Sequence, residues 1–188
     1  MALSAAQITT YGATIAAYIR ASGDMAGQTE DAVAALFAAN ASPDFYVYRT
    51  NIPVQELFNA IDWAKLTPAD APDGTQTWAN RSLACQGKQF NLQTLVVGQS
   101  QIDATKGNIR AALQDALTSV PSGTGGTVQA AGWVPVRDTV LARKGNRLEK
   151  LLASTTVQQD GSTAAKAATM QVEGSLSAQN VSDILARF

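Results

Sequence analysis

Five cations lie between residues 137 and 150: Arg137, Arg143, Lys144, Arg147 and Lys150, against Asp138 and Glu149. On a helix, Arg143, Arg147 and Lys150 would share one face at i, i+4 and i+7. Three kinds of chemistry suit such a face. It can be a solvated surface with cations near a helix C-terminus, where the dipole favours them. It can form salt bridges to an acidic neighbouring subunit. It can touch DNA phosphates non-specifically, as in a channel; nothing resembles a base-reading motif.

Few other residues offer chemistry. The chain has no histidine, which removes the commonest general base, the Ser-His and Cys-His pairs and most transition-metal sites. The acids are spread thinly, and Glu30-Asp31 reads as electrostatic support for a helix start. Gly123-Thr124-Gly125-Gly126 follows no apolar strand and precedes no Lys-Ser/Thr pair, so it is not a phosphate loop. Asp70-Ala71-Pro72-Asp73-Gly74 lacks the acidic alternation of a calcium loop. The single cysteine, Cys85, has no activating base beside it and is expected to be a partly buried, inert thiol. One cysteine allows no internal disulfide. No cofactor, no metal and no catalytic residue are expected, and the chain reads as non-enzymatic.

Composition points the same way. At 188 residues the chain can bury a core without staples. Charged residues make up 15%, below the usual quarter or so. Ala, Thr, Ser, Gln and Asn take their place, a surface suited to packing against neighbours, where each buried charge costs desolvation. A net charge of -1 argues against nucleic-acid binding by overall charge. Met1-Ala2-Leu3-Ser4 does not open a secretory signal, and no apolar run approaches a membrane span; a protein without membrane contact is expected.

The elements that must position these residues are mainly helical. Ile8, Tyr11, Ile15, Tyr18 and Ile19 recur at helical spacing after Ser4. Thr29 caps a second helix with Val33, Leu36 and Phe37 inward. Residues 45–50 form the best strand. Pro53 suits the start of a third helix bearing Leu57 and Ile61. Residues 75–98 and about 103–120 are helical, the latter with Ile109, Leu113, Ala116 and Leu117 inward. A last long helix is expected from Pro135 to about Ala153, with Val136, Val140, Leu148, Leu151 and Leu152 on its apolar side. Trp133, in a Gly- and Pro-flanked segment, is the candidate interface anchor.

Residues 154–166 are polar and linker-like. After them come an alternating stretch and a short helix capped by Ser177. The expected fold is therefore mainly α: a helical bundle body (1–153) with a small β element near 45–50, and an extended C-terminal arm (154–188) ending in a short helix. Val172, Leu176, Val181, Ile184 and Leu185 must be buried somewhere. Folding back onto residues 45–50 and reaching a neighbouring chain by strand addition are equally open.

Several stretches together resemble a family of proteins from tailed-bacteriophage virion-gene clusters. They are Pro43-Asp44-Phe45-Tyr46-Val47-Tyr48-Arg49-Thr50, Pro53-Val54-Gln55-Glu56, Lys106-Gly107-Asn108-Ile109-Arg110, Ala142-Arg143-Lys144, Arg147-Leu148-Glu149-Lys150-Leu151 and Met170-Gln171-Val172-Glu173-Gly174-Ser175-Leu176. The chain departs from the pattern at Asn51-Ile52 and in a longer spacer after Ser154. The resemblance implies a virion structural subunit near the head-to-tail junction, an adaptor or connector of the neck. Such proteins form homo-oligomeric rings, twelve-fold in the common case, between portal and tail proteins. The resemblance brings no catalytic residues. Within the same resemblance a tail-completion or capsid-associated protein is the alternative, and a small DNA-binding packaging accessory protein is the alternative from another class.

Overall fold

The computed structural model describes residues 2–63, 83–118 and 132–188. Expectations for Asp70 to Gly74 and for Gly123 to Gly126 lie outside the described residues, as does anything about the Cys85 side chain. The described chain is mainly helical, as its periodicity implies. It divides into two compact units: residues 1–47 with 144–188, and residues 48–143.

In the first unit, α1 (Ala5–Ala21) begins at a capping box in which Ser4 accepts from the Gln7 backbone and Gln7 accepts from the Ser4 backbone. Its Ile8, Ile15 and Ile19 form one buried stripe. Thr29 caps α2 (Glu30–Ala38), which buries Val33 and Phe37. Further along the chain, α7 (Arg147–Leu152) and α8 (Ala178–Arg187) return to this unit. Helix α8 packs on α1 and α2, and α7 packs on α2.

The second unit holds α3 (Val54–Ala60), α4 (Leu83–Val96), α5 (Gly107–Leu117) and the short α6 (Trp133–Val136). Helices α4 and α5 pack together. Strand β2 (Ile52–Pro53) pairs antiparallel with β3 (Gln101–Ile102), aligning Ile52 with Ile102. Leu57, Leu113, Leu117, Val136 and Leu141 are fully buried. Phe90, on α4, is 64% exposed.

Strand β1 (Tyr46–Tyr48) is shorter than the six residues its composition favours, and it pairs with β4 (Ala142–Lys144). Strand β4 overturns the single long helix expected over 135–153. That stretch is α6, a π-helical segment (Arg137–Leu141), β4, and then α7. The cause is local. Asn146 accepts from the Glu149 backbone at 2.8 Å, and Glu149 accepts from the Asn146 backbone at 3.1 Å. This second capping box starts a new helix at residue 147, so the previous one has to end before it.

The expected division into a body and an extended arm is also overturned. Val172, Leu176, Val181 and Ile184 join Ile15, Ile19, Phe37, Leu148 and Leu152 in one core, with Leu185 packed against it. The polar stretch before them is tied down by main-chain hydrogen bonds. Tyr46 donates to the Gly161 carbonyl at 2.8 Å, and Ala168 donates to the Tyr46 carbonyl at 2.9 Å. Folding back onto residues 45–50, one of the two open alternatives, is the arrangement observed, through a parallel bridge between Val47 and Ala168.

Gly161 is the pivot of this return. Its φ of +73° is a left-handed conformation, and a Cβ there would fall within the van der Waals envelope of the buried Phe45 ring. Gly161→Ala is expected to cost about 2–4 kcal/mol, the strain of the left-handed backbone adding to overpacking. Urea unfolding monitored by circular dichroism measures it, and a loss under about 1 kcal/mol would show that the ring moves aside freely.

Candidate functional site

Helix α7 places the cations that stood out in the sequence. Arg147 is its first residue and Lys150 lies one turn on. With Tyr18 of α1, Asp24 of the following turn, Asn40 and Ser42 beyond α2, and Leu151, they line a cleft of about 400 Å³ within the first unit. Arg143 is elsewhere. It sits on strand β4 and not on the helix, so the helical face Arg143-Arg147-Lys150 is not formed.

Arg147 is held by a fork of hydrogen bonds. One guanidinium nitrogen donates to Asp24 Oδ2 at 2.5 Å, and the other to Asp24 Oδ1 at 3.2 Å and the Tyr18 hydroxyl at 3.5 Å. The two planar groups meet in the bidentate geometry that makes such pairs strong. The Arg147 guanidinium, aided by the Ser22 hydroxyl, lowers the Asp24 pKa from 3.8 to about 2. Asp24, and after it Tyr18, raises the pKa of Arg147 in turn.

Lys150 is placed differently. Its ammonium donates to the Pro43 carbonyl at 3.2 Å. Among the described residues no carboxylate lies within ion-pair distance of it. The neighbouring Lys144 pairs with Asp44 at 2.6 Å, which raises its pKa.

The Asp24 pair carries a pH dependence. A carboxylate whose folded pKa is depressed contributes stability that is present above its unfolded pKa and is lost as pH falls through the folded value. For Asp24 that window runs from about 3.8 down to about 2. In Asp24→Asn the loss of stability between pH 6 and pH 2.5, measured by denaturant midpoints, is expected to be smaller than in the parent chain. Equal losses would mean that Asp24 contributes nothing in that window.

The remaining expected site residues are internal. Trp133 is 8% exposed and belongs to the core of the second unit, so it is not an outward anchor. Gly132, left-handed at φ 93°, starts the short helix that turns its side chain inward. Val172, Leu176, Val181 and Ile184 are buried within their own chain and offer no free arm surface.

The motif residues of the virion resemblance are likewise spent on internal contacts. Arg49 grips both carboxylate oxygens of Glu56, and one of its nitrogens also donates to the Val140 carbonyl at 3.0 Å. This pair lowers the Glu56 pKa. Arg110 lies 4.0 Å over the Tyr48 ring and donates to the Ala104 carbonyl at 2.6 Å. Glu149 and Asn146 hold the turn at Gly174.

The capping pair Asn146 and Glu149 is the feature that periodicity missed, although Asn-x-x-Glu before an apolar run is its sequence signal. Among the described residues no group of His, Cys, Asp and Glu is placed to hold a metal ion. No described helix is long and apolar enough to cross a membrane. Comparison with protein-family models, curated proteins and solved structures gives no match.

Proposed function

We propose that the chain is a structural subunit of a tailed-phage particle, a ring-forming head–tail adaptor of the neck that joins portal to tail and performs no catalysis. Two things support this reading. The stretches that carry the resemblance are residues on which the fold depends: Arg49 with Glu56, Arg110 with Tyr48, and Asn146 and Glu149 with the Gly174 turn. A shared pattern at such positions speaks for a shared framework, not for a shared reaction.

The observation that carries the proposal is the exposure of several large apolar side chains. Phe90 is 64% exposed, Val97 73% and Val134 50% in the second unit, and Val157 is 94% exposed in the first. Apolar side chains of this size gain free energy when a neighbouring subunit covers them.

Mass photometry and negative-stain images of the purified chain test the reading. A closed ring is expected, and Phe90→Asp with Val97→Asp should shift the population toward monomer. A chain that stays monomeric at every concentration and has no affinity for portal or tail proteins would overturn it.

A further inference from the structure

We infer that the cleft on α7 binds a carboxylate side chain presented by an acidic protein segment, with the Lys150 ammonium as its primary partner. The donors are already gathered. Lys150 faces the cleft with no carboxylate of its own among the described residues, and its contact with the Pro43 carbonyl uses one of three N–H groups. Exposed Asn40 and Ser42 line the same cleft, adding an amide and a hydroxyl as donors. Tyr18 and Leu151 supply an apolar side against which the methylenes of a glutamate can lie.

The charge pattern selects a single carboxylate over a nucleic acid. Arg147 and Lys150 carry two positive charges and Asp24 one negative, a net of +1 in the lining. The half-exposed Asp24 carboxylate repels any anion at the cleft, and a chain of phosphates, with its many charges, more strongly than one carboxylate. A cleft of about 400 Å³ also admits a side chain and not a duplex. The inference rests on the assembly reading above for the source of the segment, a neighbouring subunit in the particle.

The test uses the full chain, isotope-labelled, in NMR titrations. The probe is a capped peptide with two glutamates flanked by alanines; its glutamine counterpart, inorganic phosphate and a short DNA duplex are the comparisons. The glutamate peptide should move the Lys150, Asn40 and Ser42 side-chain signals saturably, and the glutamine peptide should not. Lys150→Gln should weaken binding about tenfold, as loss of a charged hydrogen bond does. Asp24→Asn should tighten it, because a competing negative charge is gone; an unfolded variant cannot give that gain.

Absence of saturable shifts, unchanged affinity in Lys150→Gln, or no tightening in Asp24→Asn overturns the inference. Phosphate or duplex moving the same signals at equal or lower concentration does so too. Light scattering on the same samples keeps the two ideas apart. A ring whose cleft ignores the peptide defeats this inference alone, whereas a monomer that binds the peptide defeats the assembly reading alone.

Discussion

A chain ended after Ser154 is expected to lose the folded state of its first unit, not just an assembly contact. The deletion removes Val172, Leu176, Val181 and Ile184, whose exposures are 2, 5, 0 and 0%. Full burial of such a side chain stabilises by about 1.5–3 kcal/mol, so four together contribute about 6–12 kcal/mol. Whole domains are stable by about 5–15 kcal/mol. The deletion also strips α8 from α1 and α2, leaving the faces with Ile8, Ile15, Val33 and Phe37 in water.

The Asn180 side chain goes with it. Its amide accepts from the Leu3 backbone N–H at 3.1 Å and donates to the Leu3 carbonyl at 3.2 Å, pinning the start of the chain to α8. Near-ultraviolet circular dichroism and amide NMR dispersion would report the loss. Retention of native dispersion by residues 5–38 in the shortened chain would refute the prediction. The milder Ile184→Ala should cost about 2–5 kcal/mol by the usual cavity argument.

What could be read in advance, and what could not, follows the range of the interaction concerned. Helices α1, α2 and α8 were legible because their signals are local: Ser4, Thr29 and Ser177 stand at the caps, and apolar residues recur at three and four. Periodicity alone predicts one helix over 135–153 because Val136, Val140 and Leu148 keep helical spacing across a break. Leu148 follows Val140 by eight positions, a little over two turns and on the same face, so periodicity cannot see the strand between them. The break is written in Asn146 and Glu149 instead.

The polar side chains of 154–166 give it the character of a spacer. Its order comes from main-chain hydrogen bonds to Tyr46, on which side-chain polarity is silent. The candidate site failed at longer range. The bidentate partner of Arg147 is Asp24, 123 residues away, and no local pattern reports that pairing. Of the three expected basic residues, Arg147 and Lys150 do come together, but with Tyr18, Asn40 and Ser42 in place of Arg143.

Glu149 decides whether those long-range ties hold, and its removal should be among the costliest single substitutions. The side chain is 2% exposed. Oε2 accepts from the Asn146 N–H at 3.1 Å and Oε1 from the Gly174 N–H at 3.4 Å, while Asn146 donates its amide to the Gly174 carbonyl at 2.9 Å. Gly174, at φ 126°, makes the turn that sends the chain on to α8. One carboxylate therefore joins the start of α7 to the entry of α8.

In Glu149→Ala the Asn146 and Gly174 N–H groups lose their acceptor and a small void opens. The cost expected is about 3–5 kcal/mol, the range for breaking a buried charged contact. In a chain of this length that lowers Tm by about 6–20 °C, taking 2–4 °C per kcal/mol. Glu149→Gln keeps the shape and one accepting oxygen but turns an amide N–H toward one of the two donors, so about 1–2 kcal/mol is expected. Asp183→Asn, on the exposed face of α8, should stay within about 0.5 kcal/mol. Calorimetry on the three variants tests the order. If Glu149→Ala melts within 2 °C of the parent chain, the Gly174 turn is held by the surrounding apolar packing and the carboxylate is dispensable.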